Sequence, residues 1–244
     1  LTADGVQCDS RRIRAGDLFV AIPGVKDDGM RYVESALAKG AIAIVSVKPC
    51  PTGINVPWIQ VEDARSVLAT LACAIHQNPS HHMPVHAVTG TNGKTTTTGL
   101  IRDFLQSAGQ NTGLISTVQC EYGSRVIASN RTTPDACELQ TLLEAMRTHG
   151  CTDVAMEVSS HAIDQHRIGG IRFKTVAFTN LSRDHLDYHH DMESYFEVKT
   201  RIFLSLAEQS NQRGTTVINQ DDPYGARLIK KCAELSLETI PYGV

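Results

Sequence analysis

Residues 85–98 constrain the fold of this chain more than any other stretch. The segment begins with an apolar run that predicts a short buried strand. It continues through a turn bracketed by Gly90 and Gly93, and then opens a predicted helix at Lys94. In a strand–turn–helix unit of this kind, backbone N–H groups at the start of the helix point at an anion, and the helix dipole adds roughly half a positive charge. The stretch therefore predicts a phosphate-binding cradle.

This cradle is shorter than the general P-loop. The pattern G-x-x-x-x-G-K-[ST] would require a glycine at position 88, where the chain has Val88. An ordinary turn between a strand and a helix can also end in Gly-Lys-Thr, but here all three elements lie where phosphate binding needs them. We expect Lys94 to supply a full positive charge and the Thr95 hydroxyl to bind Mg²⁺.

The composition narrows the class of protein. The 244 residues are enough for one large or two small domains, and 41% hydrophobic with 20% charged residues is typical of a soluble globular protein. The net charge of −3 gives no electrostatic reason to expect nucleic acid or a membrane as a partner. No apolar run reaches the ~18 residues of a membrane span. Seven scattered cysteines without a C-x-x-C pair predict reduced thiols in a cytoplasmic protein. The lack of an initial Met predicts a processed or trimmed chain.

Short apolar segments alternate with longer amphipathic segments along the whole chain. This alternation predicts an α/β fold with a mostly parallel sheet covered by helices. Pro- and His-rich residues 78–84 predict a linker between a small first domain, 1–82, and a second domain, 83–244. The predicted strands are 18–22, 41–47, 58–61, 85–88, 111–118, 152–158, 174–179, 215–218 and 238–242, with a hairpin over 120–128. The predicted helices are 30–39, 63–77, 94–108, 135–150, 191–207 and 223–235.

Polar residues follow four of the predicted strands directly, at 89–90, 157–161, 180–185 and 219–222. Ligands of doubly wound sheets bind outside the carboxyl ends of the strands. Any one of these segments could be an ordinary loop. Four of them at one edge would form a site beside the cradle.

Several side chains in these segments leave more than one interpretation open. Glu157 suits Mg²⁺, which prefers oxygen ligands, whereas His185 could be a metal ligand or a hydrogen-bonded loop histidine. The spacing of His185 and His189 is found in zinc helices, but the glutamate of the H-E-x-x-H motif is missing. Lys199 lies among apolar residues of a predicted helix, which is also the pattern of a surface lysine whose stem covers apolar atoms.

Several motifs together resemble the Mur ligases, the ATP-dependent amide-forming enzymes of peptidoglycan synthesis. Residues 89–96 resemble their ATP loop, and residues 9–11 followed by 16–21 resemble their uridine-nucleotide domain. The segments 132–134, 156–161, 165–167 and 180–189 resemble the branch that adds a diamino acid to UDP-N-acetylmuramoyl-L-alanyl-D-glutamate. The resemblance extends over nearly the whole chain.

This resemblance implies a domain organisation and an activity. It implies a small N-terminal α/β domain that binds the UDP-substrate and a central P-loop mononucleotide-binding domain that binds ATP. The amino acid, meso-diaminopimelate or L-lysine, would be bound by a third, C-terminal domain that the chain lacks, so we expect little or no ligase activity from these 244 residues alone. The partners would be small-molecule substrates, and we expect a cytoplasmic monomer.

The resemblance also implies roles for individual residues. The catalytic residues would be Lys94, Glu157, His185 and Lys199, with Lys199 carbamylated and thereby turned from a cation into an anion. ATP would be held by Gly90, Thr91, Asn92, Gly93, Lys94, Thr95, Thr96 and Asn219, and Mg²⁺ by Thr95, Glu157 and His185. The uridine diphosphate would contact Cys8, Ser10, Val25, Lys26 and Asp27, and the muramoyl-dipeptide would contact Thr132, Thr133, Ser159, Gln165 and Arg167.

Two other interpretations stay open. The chain could be another member of the superfamily, such as the D-alanyl-D-alanine-adding ligase or a folylpolyglutamate synthase, although residues 159–161 and 165–167 argue against both. It could also be a P-loop NTPase regulatory module without ligase chemistry. That interpretation would leave residues 9–11 and the rest of the first domain unexplained. Arg131 departs from the asparagine of some family members, which weakens one expected substrate contact.

Overall fold

The computed structural model describes residues 2–24, 27–209 and 214–243. They form two compact units, and each unit is assembled from more than one stretch of chain. The first unit contains Leu1–Asn78, Asp135–Thr141 and His166–Gly170, and the second contains Pro79–Pro134, Leu142–Gln165 and Ile171–Val244. The sequence predicted one division of the chain at residue 82. It did not predict that two later segments, Asp135–Thr141 and His166–Gly170, belong to the first unit.

The first unit has a four-stranded parallel sheet in the order β1-β2-β3-β4. Its helix α2 begins where predicted, because the Asp63 carboxylate accepts hydrogen bonds from the N–H groups of the first turn. The predicted helix over 30–39 begins instead as a tight 3₁₀ turn, Gly29–Tyr32. The bounds are β1 Gly5–Gln7, β2 Asp17–Ala21, α1 Val33–Ala38, β3 Ala43–Ser46, β4 Trp58–Gln60 and α2 Ala64–Ile75.

Part of the core of the first unit comes from a distant part of the sequence. Val6, Leu18 and Leu68 pack in one buried cluster with Ala136 and Cys137. The last two residues open helix α3, Ala136–Thr148, of which only the first part belongs to this unit. The apolar core of the first unit is therefore complete only with these later residues.

The second unit contains an eight-stranded sheet in the order β12-β11-β10-β5-β9-β6-β7-β8. The strands β12 to β6 pair in parallel, and the predicted hairpin adds β7 and β8 in antiparallel orientation. This is the mostly parallel sheet that the alternating pattern predicted. The bounds are β5 Val85–Thr89, β6 Thr112–Ile115, β7 Gln119–Tyr122, β8 Arg125–Ala128, β9 Asp153–Glu157, β10 Thr175–Phe178, β11 Thr215–Asn219 and β12 Glu238–Tyr242.

Helices flank this sheet, and carboxylate caps fix where two of the long ones begin. Asp191 and Asp222 each accept a hydrogen bond from backbone N–H groups of the following first turn. Two helices of five and four residues were not predicted, because so short a segment shows no helical periodicity. None of the described helices combines the length and apolarity that crossing a bilayer requires. The bounds are α4 Lys94–Ser107, α5 Ser160–Asp164, α6 Leu186–His189, α7 Met192–Ala207 and α8 Pro223–Glu234.

The strand predicted over 111–118 is shorter than expected. It ends at Ile115, because the Ser116 hydroxyl accepts hydrogen bonds from the N–H groups of Val118 and Gln119 and so closes a turn. The turn releases Thr117 from the strand, and this change affects the site described below.

Candidate functional site

The four polar segments that follow strands meet at one edge of the second sheet. Strands β11, β10, β5 and β9 are consecutive neighbours and run parallel, so their carboxyl ends lie side by side. Residues 89–90, 157–161, 180–185 and 219–222 leave the sheet at these ends. The strand order therefore brings the four polar segments to one edge beside the cradle, as the sequence predicted.

The loop of the cradle is held by the segment that follows β10. The backbone N–H of Thr91 donates to the carbonyl oxygen of Asn180 at 2.8 Å, and the N–H of Asn92 donates to the Asn180 side-chain oxygen at 3.0 Å. The Thr179 hydroxyl donates to the carbonyl oxygen of Asn92 at 2.6 Å. The Asn219 side-chain amide donates to the Thr179 carbonyl oxygen at 2.9 Å and so connects the end of β11 to the segment that follows β10. The loop conformation is thus fixed by neighbouring strands.

Two glycines are required by this loop. Gly90 has φ of 143°, and a Cβ at this position would overlap the Thr179 hydroxyl. Gly93 has φ of 85° and caps α4 without a side-chain hydrogen bond. The first N–H groups of α4, at Thr95 and Thr96, therefore have no side-chain cap from Gly93 and suit an anion.

Two lysines donate to the same carbonyl oxygen of the loop. Lys94 Nζ lies 3.1 Å from the Gly90 oxygen and 2.7 Å from the Thr91 oxygen. Lys199 Nζ, from α7, lies 2.8 Å from the Gly90 oxygen, and the Lys199 side chain is only 2% exposed. Burial and then the charge of Lys94 hold the pKa of Lys199 well below its usual value. Lys199 is therefore a buried residue of the site, and the interpretation as a surface lysine is wrong.

Glu157 ends β9 as a fully buried carboxylate. Its Oε1 accepts a hydrogen bond from the Thr117 N–H at 2.8 Å, and its Oε2 accepts one from the Thr117 hydroxyl at 3.1 Å. The Thr117 hydroxyl also lies 3.1 Å from the Thr132 hydroxyl. Thr133 donates to the Glu157 carbonyl oxygen at 3.0 Å and accepts from the Ser159 N–H at 3.1 Å. Sequence analysis missed Thr117, because it placed that residue inside a strand.

Histidine and tyrosine rings cluster beside α6. The His185 and His161 ring centroids lie 4.9 Å apart, and the His189 ring stacks on Tyr195 at 4.9 Å. His189 Nε2 contacts the Ser160 hydroxyl at 2.8 Å. Burial and then His161 lower the pKa of His189 to about 4. His189 is therefore a neutral, buried ring partner. The sequence placed His161 in a polar segment of this edge and paired His189 with His185 only by spacing, and it gave neither ring a packing role.

Metal-binding capacity rests on a carboxylate and a hydroxyl. Across the described ranges, no group of three His, Cys, Asp or Glu side chains could hold a metal ion, and this gives no support to a zinc site. Mg²⁺ at a nucleotide needs only one or two protein oxygens besides phosphates and water. Two residues fit that role, Glu157 and Thr95 at the start of α4. Each carboxylate oxygen of Glu157 accepts one hydrogen bond and has a second lone pair. His185 is half-exposed and lies 3.4 Å from Asp184 Oδ2.

The first unit contains a cavity of about 420 Å³. Cys8, Ser10 and Asp27, three of the five residues expected to contact uridine diphosphate, line it. Val25 and Lys26 lie outside the described residues. Arg11 and Arg65 also line the cavity, together with the carboxylates of Asp9 and Asp27. Arg11 belongs to the segment that resembles the uridine-nucleotide domain, whereas nothing in the sequence indicated Arg65.

The five residues expected to contact the muramoyl-dipeptide are divided between the units. Arg167 belongs to the first unit, and Thr132, Thr133, Ser159 and Gln165 belong to the second. Gln165 contacts the Tyr188 hydroxyl at 3.4 Å. Within the second unit, Thr132 and Thr133 are joined to the Glu157 strand by the hydrogen bonds described above.

Comparison with known proteins supplies the family. Residues 88–244 match the Mur ligase middle domain, and residues 2–76 match the Mur ligase family, catalytic domain. The chain belongs to the Mur ligase family. Its resemblance at the level of motifs is thereby confirmed over both units.

Individual Mur ligases cover nearly all of this chain. A UDP-N-acetylmuramoyl-L-alanyl-D-glutamate--2,6-diaminopimelate ligase from Geobacter metallireducens is 44% identical over 230 residues, which are 93% of this chain and 45% of that protein. A solved structure of a ligase with the same name is 31% identical, with a TM-score of 0.84 over 99% of this chain and 48% of the other. A MurF ligase from Thermotoga maritima, solved in complex with ADP, shares the fold at 22% identity and a TM-score of 0.63. The chain thus spans about half the length of the relatives it matches.

Proposed function

We propose that this chain carries the UDP-substrate-binding and ATP-binding parts of a ligase that joins 2,6-diaminopimelate to UDP-N-acetylmuramoyl-L-alanyl-D-glutamate. The observation that carries the proposal is the convergence of the cradle, Glu157 and the buried Lys199 at one sheet edge. The names of the relatives favour diaminopimelate over L-lysine as the added amino acid.

ATP is the nucleotide that this site would hold. Backbone N–H groups at the start of α4 and the Lys94 ammonium would bind its phosphates. Lys94 now donates to two loop carbonyl oxygens, so a phosphate would offer it a stronger, charged acceptor. Mg²⁺ held by Thr95 and Glu157, with His185 as the third proposed ligand, would neutralise developing charge on the transferred phosphoryl group.

The proposed reaction has two steps. An oxygen of the D-glutamyl γ-carboxylate attacks the γ-phosphorus of ATP, and ADP leaves with the electrons of the broken P–O bond. The amine nitrogen of diaminopimelate then attacks the acyl carbon, and inorganic phosphate leaves as the amine loses a proton. Lys94 and the α4 N–H groups would position and neutralise the phosphates, which is most of what phosphoryl transfer requires of a protein.

Lys199 is proposed to act as a carbamate. Because burial favours the neutral amine, its lone pair can attack the carbon of CO₂, form an N–C bond and release a proton. The product is an anion beside the Gly90 carbonyl oxygen, where it would help to position Mg²⁺. The carbamate should appear as a new carbonyl signal in ¹³C NMR under ¹³CO₂, and Lys199→Met should lack it. The absence of that signal in a folded wild-type chain would contradict this role.

The cavity of the first unit is proposed to hold the uridine diphosphate. Its volume of about 420 Å³ lies within the ~300–1,000 Å³ range of small-molecule sites. The Arg65 guanidinium suits a diphosphate, and the Ser10 hydroxyl can donate to it. The Arg11 guanidinium already pairs with the Asp9 carboxylate at 2.7 Å. Thr132, Thr133, Ser159, Gln165 and Arg167 stay proposed contacts of the muramoyl-dipeptide.

Calorimetric titration tests the substrate part of the proposal. The chain should bind UDP-N-acetylmuramoyl-L-alanyl-D-glutamate more tightly than UDP-N-acetylglucosamine, because only the former carries the dipeptide. Arg65→Gln should weaken both ligands by about three- to tenfold, and Lys230→Gln, a matched loss of charge on α8, should weaken neither. Equal affinity for the two ligands, or no binding by a folded chain, would count against it.

A parallel titration with ADP and Mg²⁺ tests the nucleotide part. Lys94→Ala should weaken the binding of ADP at least about tenfold, whereas Lys230→Ala should not. Binding of ADP without binding of the UDP-substrate would favour the alternative of an NTPase module. The expected monomer and the cytoplasmic location stay predictions.

A further inference from the structure

A second cavity lies in the second unit, at the sheet edge opposite the cradle. It has a volume of about 240 Å³ and is lined by residues 80–84, residues 172–174 and Gly214. These segments come directly before β5, β10 and β11. Because these three strands are parallel neighbours, their amino ends lie side by side, one strand length away from the carboxyl ends that form the cradle.

The lining of this cavity is basic. His81, His82, Arg172 and Lys174 contribute to it, and none of its lining residues is acidic. Within the described part of the chain, none of these four side chains forms an ion pair. Two permanent positive charges therefore converge on one cavity of a protein whose net charge is −3.

The frame of the cavity is rigid. The Ser80 hydroxyl accepts a hydrogen bond from the Arg172 N–H at 3.0 Å and so joins the two basic segments. The Lys174 N–H donates to the Val85 carbonyl oxygen at 2.9 Å, which ties the second segment to β5. Met83 and Phe173, which also line the cavity, are buried. The basic side chains thus project from a fixed backbone, which lowers the entropic cost of binding a ligand.

We propose that this cavity binds a small oxyanion of the phosphate class, either inorganic phosphate or the phosphate group of a small monoester. Its volume lies below the ~300–1,000 Å³ of sites for nucleotide-sized ligands, so the ligand is small. The planar guanidinium of Arg172 can pair with two oxygens of a phosphate, and Lys174 adds a point charge. This site is independent of the nucleotide and UDP-substrate sites proposed above.

The behaviour of His81 supports a positive field in the cavity. Burial, and then the charges of Arg172 and of His82, lower the pKa of His81. A bound dianion favours the imidazolium form, so it should raise this pKa. His81 is therefore a local reporter that phosphate bound in the distant cradle does not affect directly.

The test is an NMR titration of the His81 imidazole with inorganic phosphate at constant ionic strength and with ADP and Mg²⁺ present. The proposal expects a saturable change of the His81 signals and a rise of its pKa. Arg172→Gln with Lys174→Gln should weaken the binding about tenfold or more. Lys174→Gln alone, at an exposed position, keeps the test valid if the double variant misfolds. Lys230→Gln is its matched control, since it also removes one positive charge from an exposed position.

Three outcomes would overturn the proposal. A change of the His81 signals that does not saturate with phosphate and is reproduced by chloride would indicate general screening of a solvated basic surface. Equal affinity in the Lys174→Gln and wild-type chains would show that the cavity is not the site. An unchanged His81 signal at saturating phosphate would show that nothing binds there. Repeating the titration with glycerol 3-phosphate distinguishes a monoester, which would bind more tightly, from free phosphate.

Discussion

Thr117 holds both carboxylate oxygens of Glu157, one through its backbone N–H at 2.8 Å and the other through its hydroxyl at 3.1 Å. A hydroxyl has one proton, and that of Thr117 has two acceptors within 3.1 Å, the Glu157 Oε2 and the Thr132 hydroxyl oxygen. Thr117 therefore connects a proposed substrate contact, Thr132, to the proposed metal ligand, Glu157, through hydrogen bonds. Thr117 is a positioning residue, since it acts through Glu157.

Thr117→Val should weaken the Mg²⁺-dependent binding of ADP by about three- to tenfold, because the buried Oε2 loses a charge-assisted hydrogen bond worth ~1.5–3 kcal/mol, part of which water restores. Thr117→Ser keeps the hydroxyl and should bind like the wild type. Calorimetry with and without Mg²⁺ measures the effect. A loss of affinity that is equal without Mg²⁺ would indicate a merely structural role for Thr117.

Gly90→Ala should abolish the binding of ADP and destabilise the second unit. The new Cβ would overlap the Thr179 hydroxyl, and φ of 143° disfavours any side chain. Gly99→Ala is the matched control, since a Cβ there meets no atom within 4 Å inside helix α4. It should stabilise the chain by ~0.5–1 kcal/mol. Calorimetric unfolding and ADP titration of both variants check the pair, and retained ADP binding in Gly90→Ala would contradict the assignment of the loop.

Acidification should destabilise the second unit through His189. Its pKa is lowered to about 4 by burial and by His161, with smaller effects of Asp164, Lys199 and His185. The unfolded chain therefore binds a proton near pH 6.5 that the folded chain does not bind until about pH 4. Stability is lost as the pH falls through this window, up to roughly 3 kcal/mol.

His189→Gln should remove most of this pH dependence between pH 6.5 and 4. Glutamine can still hydrogen-bond to the Ser160 hydroxyl but cannot gain the charge. His149→Gln, at an exposed histidine of the same unit, should leave the dependence unchanged. Thermal unfolding at several pH values measures the slope, and an unchanged slope in His189→Gln would refute the assignment.

Alkylation should distinguish Cys8 from Cys50. Hydrogen bonding from Cys137 lowers the pKa of Cys8, which favours its reactive thiolate, and Cys8 lines the cavity proposed for uridine diphosphate. UDP-N-acetylglucosamine should therefore slow the reaction of Cys8 with iodoacetamide. Cys50 is exposed and lies outside that lining, so its rate should not change. Peptide mass mapping gives both rates, and equal protection of the two thiols would argue against this cavity as the ligand site.

Local signals in the sequence predicted most of the elements of both units. Asp63 and Asp191 begin helices because a carboxylate can accept from the first N–H groups, and that rule needs no tertiary information. The common edge of four polar segments followed from the alternation of strands and helices alone.

The residues that sequence analysis missed depend on contacts between distant segments. Thr117 lies forty positions before Glu157, and the turn that aims it at the carboxylate depends on Ser116. Likewise the burial of Lys199 depends on the Gly90 carbonyl oxygen, more than a hundred residues earlier. Periodicity cannot reveal either, because both are properties of packing between elements.

The mixed origin of the first unit has a consequence during synthesis on the ribosome. Residues up to 78 contain all four strands of its sheet, yet Ala136 and Cys137 belong to the same apolar cluster as Val6 and Leu68. A nascent chain that has emerged only to residue 78 therefore exposes an unfilled apolar surface. We expect this unit to reach its final protection from proteases only after residue 137 has left the exit tunnel, so it cannot finish folding as soon as its own four strands have been synthesised.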